Sequence, residues 1–187
     1  TDYVTMASLQ GYYRDMLLSS VIQDDAFIMF SKNDVALSKY SVFSDMKKFY
    51  GPVWEFEGLS YNQMRKMLFE KRYYGEFLSN TVFSKTAENR KSDIVFVYTV
   101  SDAEKKRGGC VMFSVYDSKK ILSLLGLNQI AETGRVRLIN NLGEEIADIN
   151  NLKTTSAKNP DVVFAAPNSS VSIEITISDG FYSESLV

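Results

Sequence analysis

The chain has 187 residues, a formal charge of −2, and 45% hydrophobic against 24% charged residues, the balance of a folded globular protein with room for one large domain or a large and a small one. Its 21 lysines and arginines are scattered rather than gathered on one segment, which argues against a nucleic-acid surface. Histidine is absent, which excludes His-based triads and His metal sites, and Cys110, the lone cysteine, cannot close an internal disulfide.

In chain order, Leu9, Tyr12, Tyr13, Met16, Leu17 and Val21 recur at spacings of three and four and predict an amphipathic helix over residues 3–22. Its first half (Ala7, Ser8, Gln10, Gly11) is weakly apolar, so the helix is expected to overhang its domain and pair with a second copy; Asp24-Asp25 ends it. Residues 26–31 and 35–40 read as a hairpin around Lys32-Asn33-Asp34, since Asn and Asp tolerate tight-turn dihedrals. A short helix over 44–50 with Ser44 as N-cap is closed by Gly51-Pro52, and a second helix over 61–72 starts at the N-cap Ser60. Residues 80–84 read as a strand and 85–91 as a loop.

Residues 93–101 and 110–117 are rich in β-branched and aromatic side chains and flank a link with two glycines and five charges, which predicts two antiparallel strands at the centre of a sheet. Both arms are apolar on both faces, so the sheet needs a cover on each side. A helix over 119–125, stopped by Gly126, follows. Beyond it, strands over 135–139 and 145–149 surround an Asn140–Gly143 turn signal, and strands over 161–165 and 171–177 form another pair. Val171, Ile173, Ile175 and Ile177 alternate with polar residues, which predicts one wet face.

Catalysis finds little footing. Glu55 and Glu57 sit in a loop and need no explanation beyond solvation, Gly108-Gly109 lacks the helix of a phosphate cradle, and Asp24-Asp25 and Glu144-Glu145 lack a calcium-loop pattern. No nucleophile pairs with a base. The expectation is a protein that is not an enzyme and uses no metal or cofactor. The sequence holds no membrane-spanning run, and because it opens on Thr1 rather than methionine it reads as a piece cut from a longer protein.

Three stretches carry a family likeness: the strand–turn–strand over 27–38 after a long helix; residues 93–100 and 108–117 running into a helix; and residues 136–146, a strand, an Asn-x-x-Gly turn and a strand. Together they resemble the double Cache (PAS-like) extracellular sensor regions of bacterial membrane receptors, which precede histidine kinases, AraC-type regulators, chemoreceptors or cyclic-nucleotide enzymes. The resemblance implies an α+β fold in three parts. Residues 1–23 would be a signalling and dimerisation helix. Residues 24–127 would be a membrane-distal module with a PAS-like antiparallel five-stranded sheet under crossover helices, and residues 128–187 a small membrane-proximal β-rich module. It further implies an extracytoplasmic location, a membrane-anchored parent, homodimerisation along the helix, and an unidentified small-molecule ligand beneath the crossover. Amino-acid-binding members carry an Arg-x-Trp-Tyr-like cluster there; Tyr50, Trp54, Arg65, Arg72 and Tyr73 do not keep that spacing, and the motif is not carried over.

Such a pocket needs aromatic walls and a few inward polar groups. Tyr50, Trp54 and Tyr73 in the crossover offer ring faces, Arg72 a partner for a carboxylate, and Tyr98 and Ser114 polar points on the middle strands. Plainer readings stand beside these: Tyr98 reaching a sheet edge, Ser114 bonding a neighbouring strand, Arg72 in solvent. A ligand-free structural or protein-interaction ectodomain is the alternative function, with the aromatic loop over 50–56 as an exposed patch.

Overall fold

The computed structural model describes residues 8, 10–12, 14, 23–101, 109–152, 159–165 and 171–177. They form a mixed fold of short helices and sheets in which all named strand pairs are antiparallel. The chain divides into two compact units, Thr1–Asp117 and Ser118–Val187. The division falls earlier than the expected 127/128 boundary, because the helix after Asp117 packs within the second unit: Leu122 is buried with Ala131, Val136 and Ile175.

Of the predicted N-terminal helix, Ser8, Gln10, Gly11, Tyr12 and Arg14 are helical, and the rest of residues 3–22 lies outside the described residues. The Gln10 side chain donates to the Lys39 carbonyl at 2.8 Å.

The first unit is built on β1 (Gln23–Phe30), β2 (Val35–Ser38), β3 (Val42–Phe43), β5 (Tyr74–Leu78), β8 (Ile94–Ser101) and β9 (Cys110–Tyr116). They line up as β3-β2-β1-β9-β8-β5, a six-stranded sheet where five strands were expected. The additions are the two-residue β3 at one edge and β5 at the other, while the strand expected over 80–84 pairs outside this sheet. The sequence hides β5 because Tyr73-Tyr74-Gly75 reads as a helix terminator, and only pairing with β8 fixes Glu76-Phe77-Leu78 as extended. The predicted central strands hold: β9 lies between β1 and β8. The link between β8 and β9 lies outside the described residues.

The crossover between β3 and β8 consists of α1 (Met46–Phe49), β4 (Glu55–Phe56), α2 (Tyr61–Phe69), β5, β6 (Phe83–Lys85) and β7 (Arg90–Ser92). Strands β4, β6 and β7 make a small three-stranded sheet, so the expected loop over 85–91 contains one 3-10 turn and parts of two strands. The expected Ser44 cap is replaced by Asp45, whose side chain makes no capping bond. Ser60 does cap α2, in a reciprocal capping box with Gln63. A polar latch ties α2 to the β1–β2 turn: Arg65 binds the Asp34 carboxylate and the Ser31 carbonyl, and the Tyr61 hydroxyl also donates to Asp34. Asp34 itself is left-handed at φ 54, as the turn prediction requires.

In the second unit, α3 (Ser118–Leu124), α4 (Asn128–Thr133), β10 (Arg135–Asn140), β11 (Glu145–Asn150), β12 (Val162–Ala165) and β13 (Val171–Thr176) form two helices and a four-stranded sheet ordered β11-β10-β13-β12. Gly126, at φ 70, ends α3 as predicted. Alternation along β13 sorts the faces: Ile173 and Ile175 join the α3–α4 cluster, while Glu174 pairs with Arg137 on the wet side.

Gly134 follows α4 where a Cβ would stand 2.5 Å from the Thr176 carbonyl oxygen and 2.8 Å from that of Ile130. Both obstacles are backbone, so Gly134→Ala should destabilise the second unit by about 1–3 kcal/mol, the usual cost of overpacking. Hydrogen exchange of the β10 and β13 amides reads that loss.

Candidate functional site

The crossover loop doubles back on itself after α1. Gly51, at φ 90, donates its N–H to the Trp54 carbonyl at 2.9 Å, and Tyr50 and Trp54 form an isolated parallel bridge. Only a residue without Cβ adopts that dihedral freely, which is why the turn sits at the glycine. The reversal drives Trp54, then Phe56 on β4, onto the sheet. Trp54 is 1% exposed. Its ring lies 5.1 Å from Phe27, 5.4 Å from Phe83, 6.0 Å from Phe113 and 5.4 Å from Tyr50, centroid to centroid. Met64 and Leu68 of α2 are buried in the same core, as are Val95, Val97 and Val111 of the sheet. The loop is therefore part of the core, and the exposed-patch reading of residues 50–56 is corrected.

Among the fully buried side-chain polar atoms described, Trp54 Nε1 has no hydrogen-bond partner. The other polar groups nearby are engaged. The Tyr50 hydroxyl donates towards the Leu59 carbonyl at 2.9 Å and accepts from the Phe56 N–H at 3.1 Å. The Tyr73 hydroxyl donates to the Met67 carbonyl at 2.6 Å, and the Tyr73 N–H donates to Thr99 Oγ1 at 2.8 Å. Tyr50, Trp54 and Tyr73 thus share one core, but two of the three present rings with occupied hydroxyls.

The remaining candidates lie elsewhere. Arg72 is exposed, its guanidinium 5.2 Å over the ring of Tyr74, itself 74% exposed. Tyr98 and Ser114 were expected at the pocket floor. They sit on the opposite face of the sheet from Trp54, because cross-strand partners share a face: Phe27, Phe113 and Val97 line up on the crossover side, and Ala26, Ser114 and Phe96 on the other. Tyr98 is 44% exposed opposite Met112, and Ser114 accepts from Gln23 Nε2 at 2.6 Å. Ser114 therefore follows its plainer reading.

A charged cluster at the start of β1 went unread in the sequence. A bulge between Gln23 and Asp25 shifts the β1–β9 register at Asp24. Asp25 is 2% exposed and holds Lys85 Nζ at 2.6 Å. Asp24 accepts from Ser92 Oγ at 3.1 Å and pairs with Arg90 at 3.3 Å. The small sheet of the crossover is thereby fastened to the first strand of the large one. The only trace in the sequence was an acidic pair directly before an apolar strand, which also fits an ordinary helix stop.

Burial sets the titration of the neutral acids. It pushes the Cys110 thiol up to about 11 and the Tyr73 hydroxyl up to about 12; Tyr61 rises to about 12 through burial and its bond to Asp34. All three shifts favour the protonated form in the folded state. Their contribution is complete below the ordinary values of 9 for Cys and 10 for Tyr and is lost as pH climbs through 11–12. The urea midpoint of the first unit is expected to hold near neutrality and fall from about pH 9 upward.

No family model matches this chain, and no curated protein matches it in sequence. Among the described residues no cluster of acidic or thiol side chains is placed to hold a metal ion, and no helix is long and apolar enough to cross a membrane.

Proposed function

We propose that the chain is the extracytoplasmic ligand-sensing region of a bacterial transmembrane signalling receptor, with a PAS-like Cache module in the first unit and a smaller one in the second. The strand order β2-β1-β9-β8-β5 with its crossover helices on one face supports the PAS-like reading. The observation that carries binding is the unpartnered Trp54 N–H inside the layer between crossover and sheet. A buried donor without an acceptor is costly, on the order of 1–3 kcal/mol, and a ligand that accepts from it recovers that energy.

In this reading a small molecule enters beneath the crossover and shifts the small sheet. The Asp24 and Asp25 contacts pass the movement to the start of β1, which follows the N-terminal segment in the chain. Only a ligand with different affinity for two arrangements drives such a shift. The helix would meet its copy in a homodimer, and flanking segments of a membrane-anchored parent would carry the output. Ligand-dependent thermal stabilisation in a metabolite screen tests the binding step, since a ligand at 100 times its Kd adds about 2.7 kcal/mol. Tyr12, helical and 79% exposed, offers the test of the dimer: Tyr12→Cys should form a disulfide-linked pair under mild oxidation. Cys110, buried and held protonated, should not compete.

A second reading, a ligand-free interaction ectodomain, draws on β12, an edge strand whose Val163 and Phe164 are 55% and 58% exposed. A screen in which no metabolite moves the melting point favours it.

A further inference from the structure

Resting on the sensor reading, we infer that the ligand at Trp54 is an uncharged, largely apolar molecule carrying a single hydrogen-bond acceptor, such as a cyclic ketone or lactone. An indole N–H only donates, so its partner must accept. The walls around it are Phe27, Phe56, Phe83, Phe113 and Tyr50, which favour carbon over polar surface.

Among the described residues, the two least exposed cations of the crossover are already paired. Lys85, whose side chain is 12% exposed, is held by Asp25, and Arg65 is held by Asp34 and Ser31. The Tyr50 and Tyr73 hydroxyls are bonded to backbone. A carboxylate or ammonium brought here would lose its water without gaining a counter-charge, which strongly disfavours its binding. A molecule with two or more polar groups would leave all but one of them unsatisfied.

The loop that bears Trp54 and Phe56 is bounded by Gly51 at φ 90 and Gly58 at φ 75, each with open space where a Cβ would stand. Between them β4 is paired to β6, which ties the loop to the small sheet, so binding would displace the two together. The rings stand at contact distances, and the ligand is accommodated by displacement of both away from Phe27 and Phe113.

Trp54 is the only tryptophan, so the ¹⁵N-labelled chain shows one indole N–H resonance. Titrating the full chain with cyclohexanone, methylcyclohexane and cyclohexanecarboxylate compares an acceptor, a hydrocarbon and an anion of similar size. Cyclohexanone is expected to move the indole proton downfield, and methylcyclohexane, which cannot accept, to leave it in place. The carboxylate should leave the resonance in place. Trp54→Phe should keep the fold by circular dichroism and weaken cyclohexanone binding about tenfold, the worth of one buried hydrogen bond, while leaving methylcyclohexane binding nearly unchanged. An indole proton that exchanges magnetisation with a long-lived water and ignores all three probes would overturn the inference, as would tighter binding of the carboxylate. A charged metabolite that raises the melting point defeats the ligand class and leaves the sensor reading standing; if nothing raises it, both fall.

Discussion

Lys85→Met is expected to destabilise the first unit by about 3–5 kcal/mol, because it strands the buried Asp25 carboxylate without its cation. Lys85 Nζ lies 2.6 Å from Asp25 with both side chains largely out of water, at 12% and 3% exposure. The Asp25 carboxylate also accepts from the Ala26 N–H at 2.8 Å, which does not neutralise it. Removing both charges should cost far less: Asp25→Asn with Lys85→Met should recover most of the loss, since an apolar or neutral replacement of a whole buried pair is often close to neutral. Urea titration followed by Trp54 emission measures both variants, the single tryptophan lying in the first unit. Equal losses for the single and double variants would mean that the pair contributes through packing alone. Exposed pairs provide the contrast. Lys66–Glu70, with side chains 67% and 63% exposed, should change stability by less than about 1 kcal/mol when broken.

Trp54→Ala should cost about 3–5 kcal/mol, the usual range for emptying a large aromatic site in a core. Five rings lose their common neighbour, and the loop between Gly51 and Gly58 loses its largest buried side chain. Trp54→Phe should cost much less. It leaves a smaller void and removes a buried donor that has no acceptor, and these effects oppose each other. Denaturant unfolding followed by far-ultraviolet circular dichroism compares the two without needing the indole. The difference matters for function. Loss of signalling in Trp54→Ala reports unfolding as readily as a lost ligand contact, whereas Trp54→Phe separates them.

Tyr73 and Arg72 show how much one residue's shift matters. They are neighbours at the end of the α2 segment, yet Tyr73 is 2% exposed with its hydroxyl on the Met67 carbonyl, while Arg72 lies over the exposed ring of Tyr74. Chain position gives no warning of that division, because it depends on where β5 docks on β8.

Local chemistry was legible at several points where it acts over a few residues, though not at the Ser44 cap, which fell to Asp45. The Ser60 cap, the left-handed Asp34 in its turn, the Gly126 stop, the apolar arms of β8 and β9 and the alternation of β13 all follow from side-chain shape and hydrogen-bonding capacity within one turn or one strand. What only the tertiary structure decided is which face each strand turns to the crossover, and what becomes of the polar groups there. A β-strand exposes both faces equally in its sequence, and register with β1 sent Ser114 and Tyr98 to one side and Phe113 and Val97 to the other. Pairing at long range likewise joined Asp24 and Asp25 to Arg90, Ser92 and Lys85, and left the Trp54 N–H buried without an acceptor. No pattern of neighbours along the chain encodes those distances, because they are set by the packing of elements far apart in sequence.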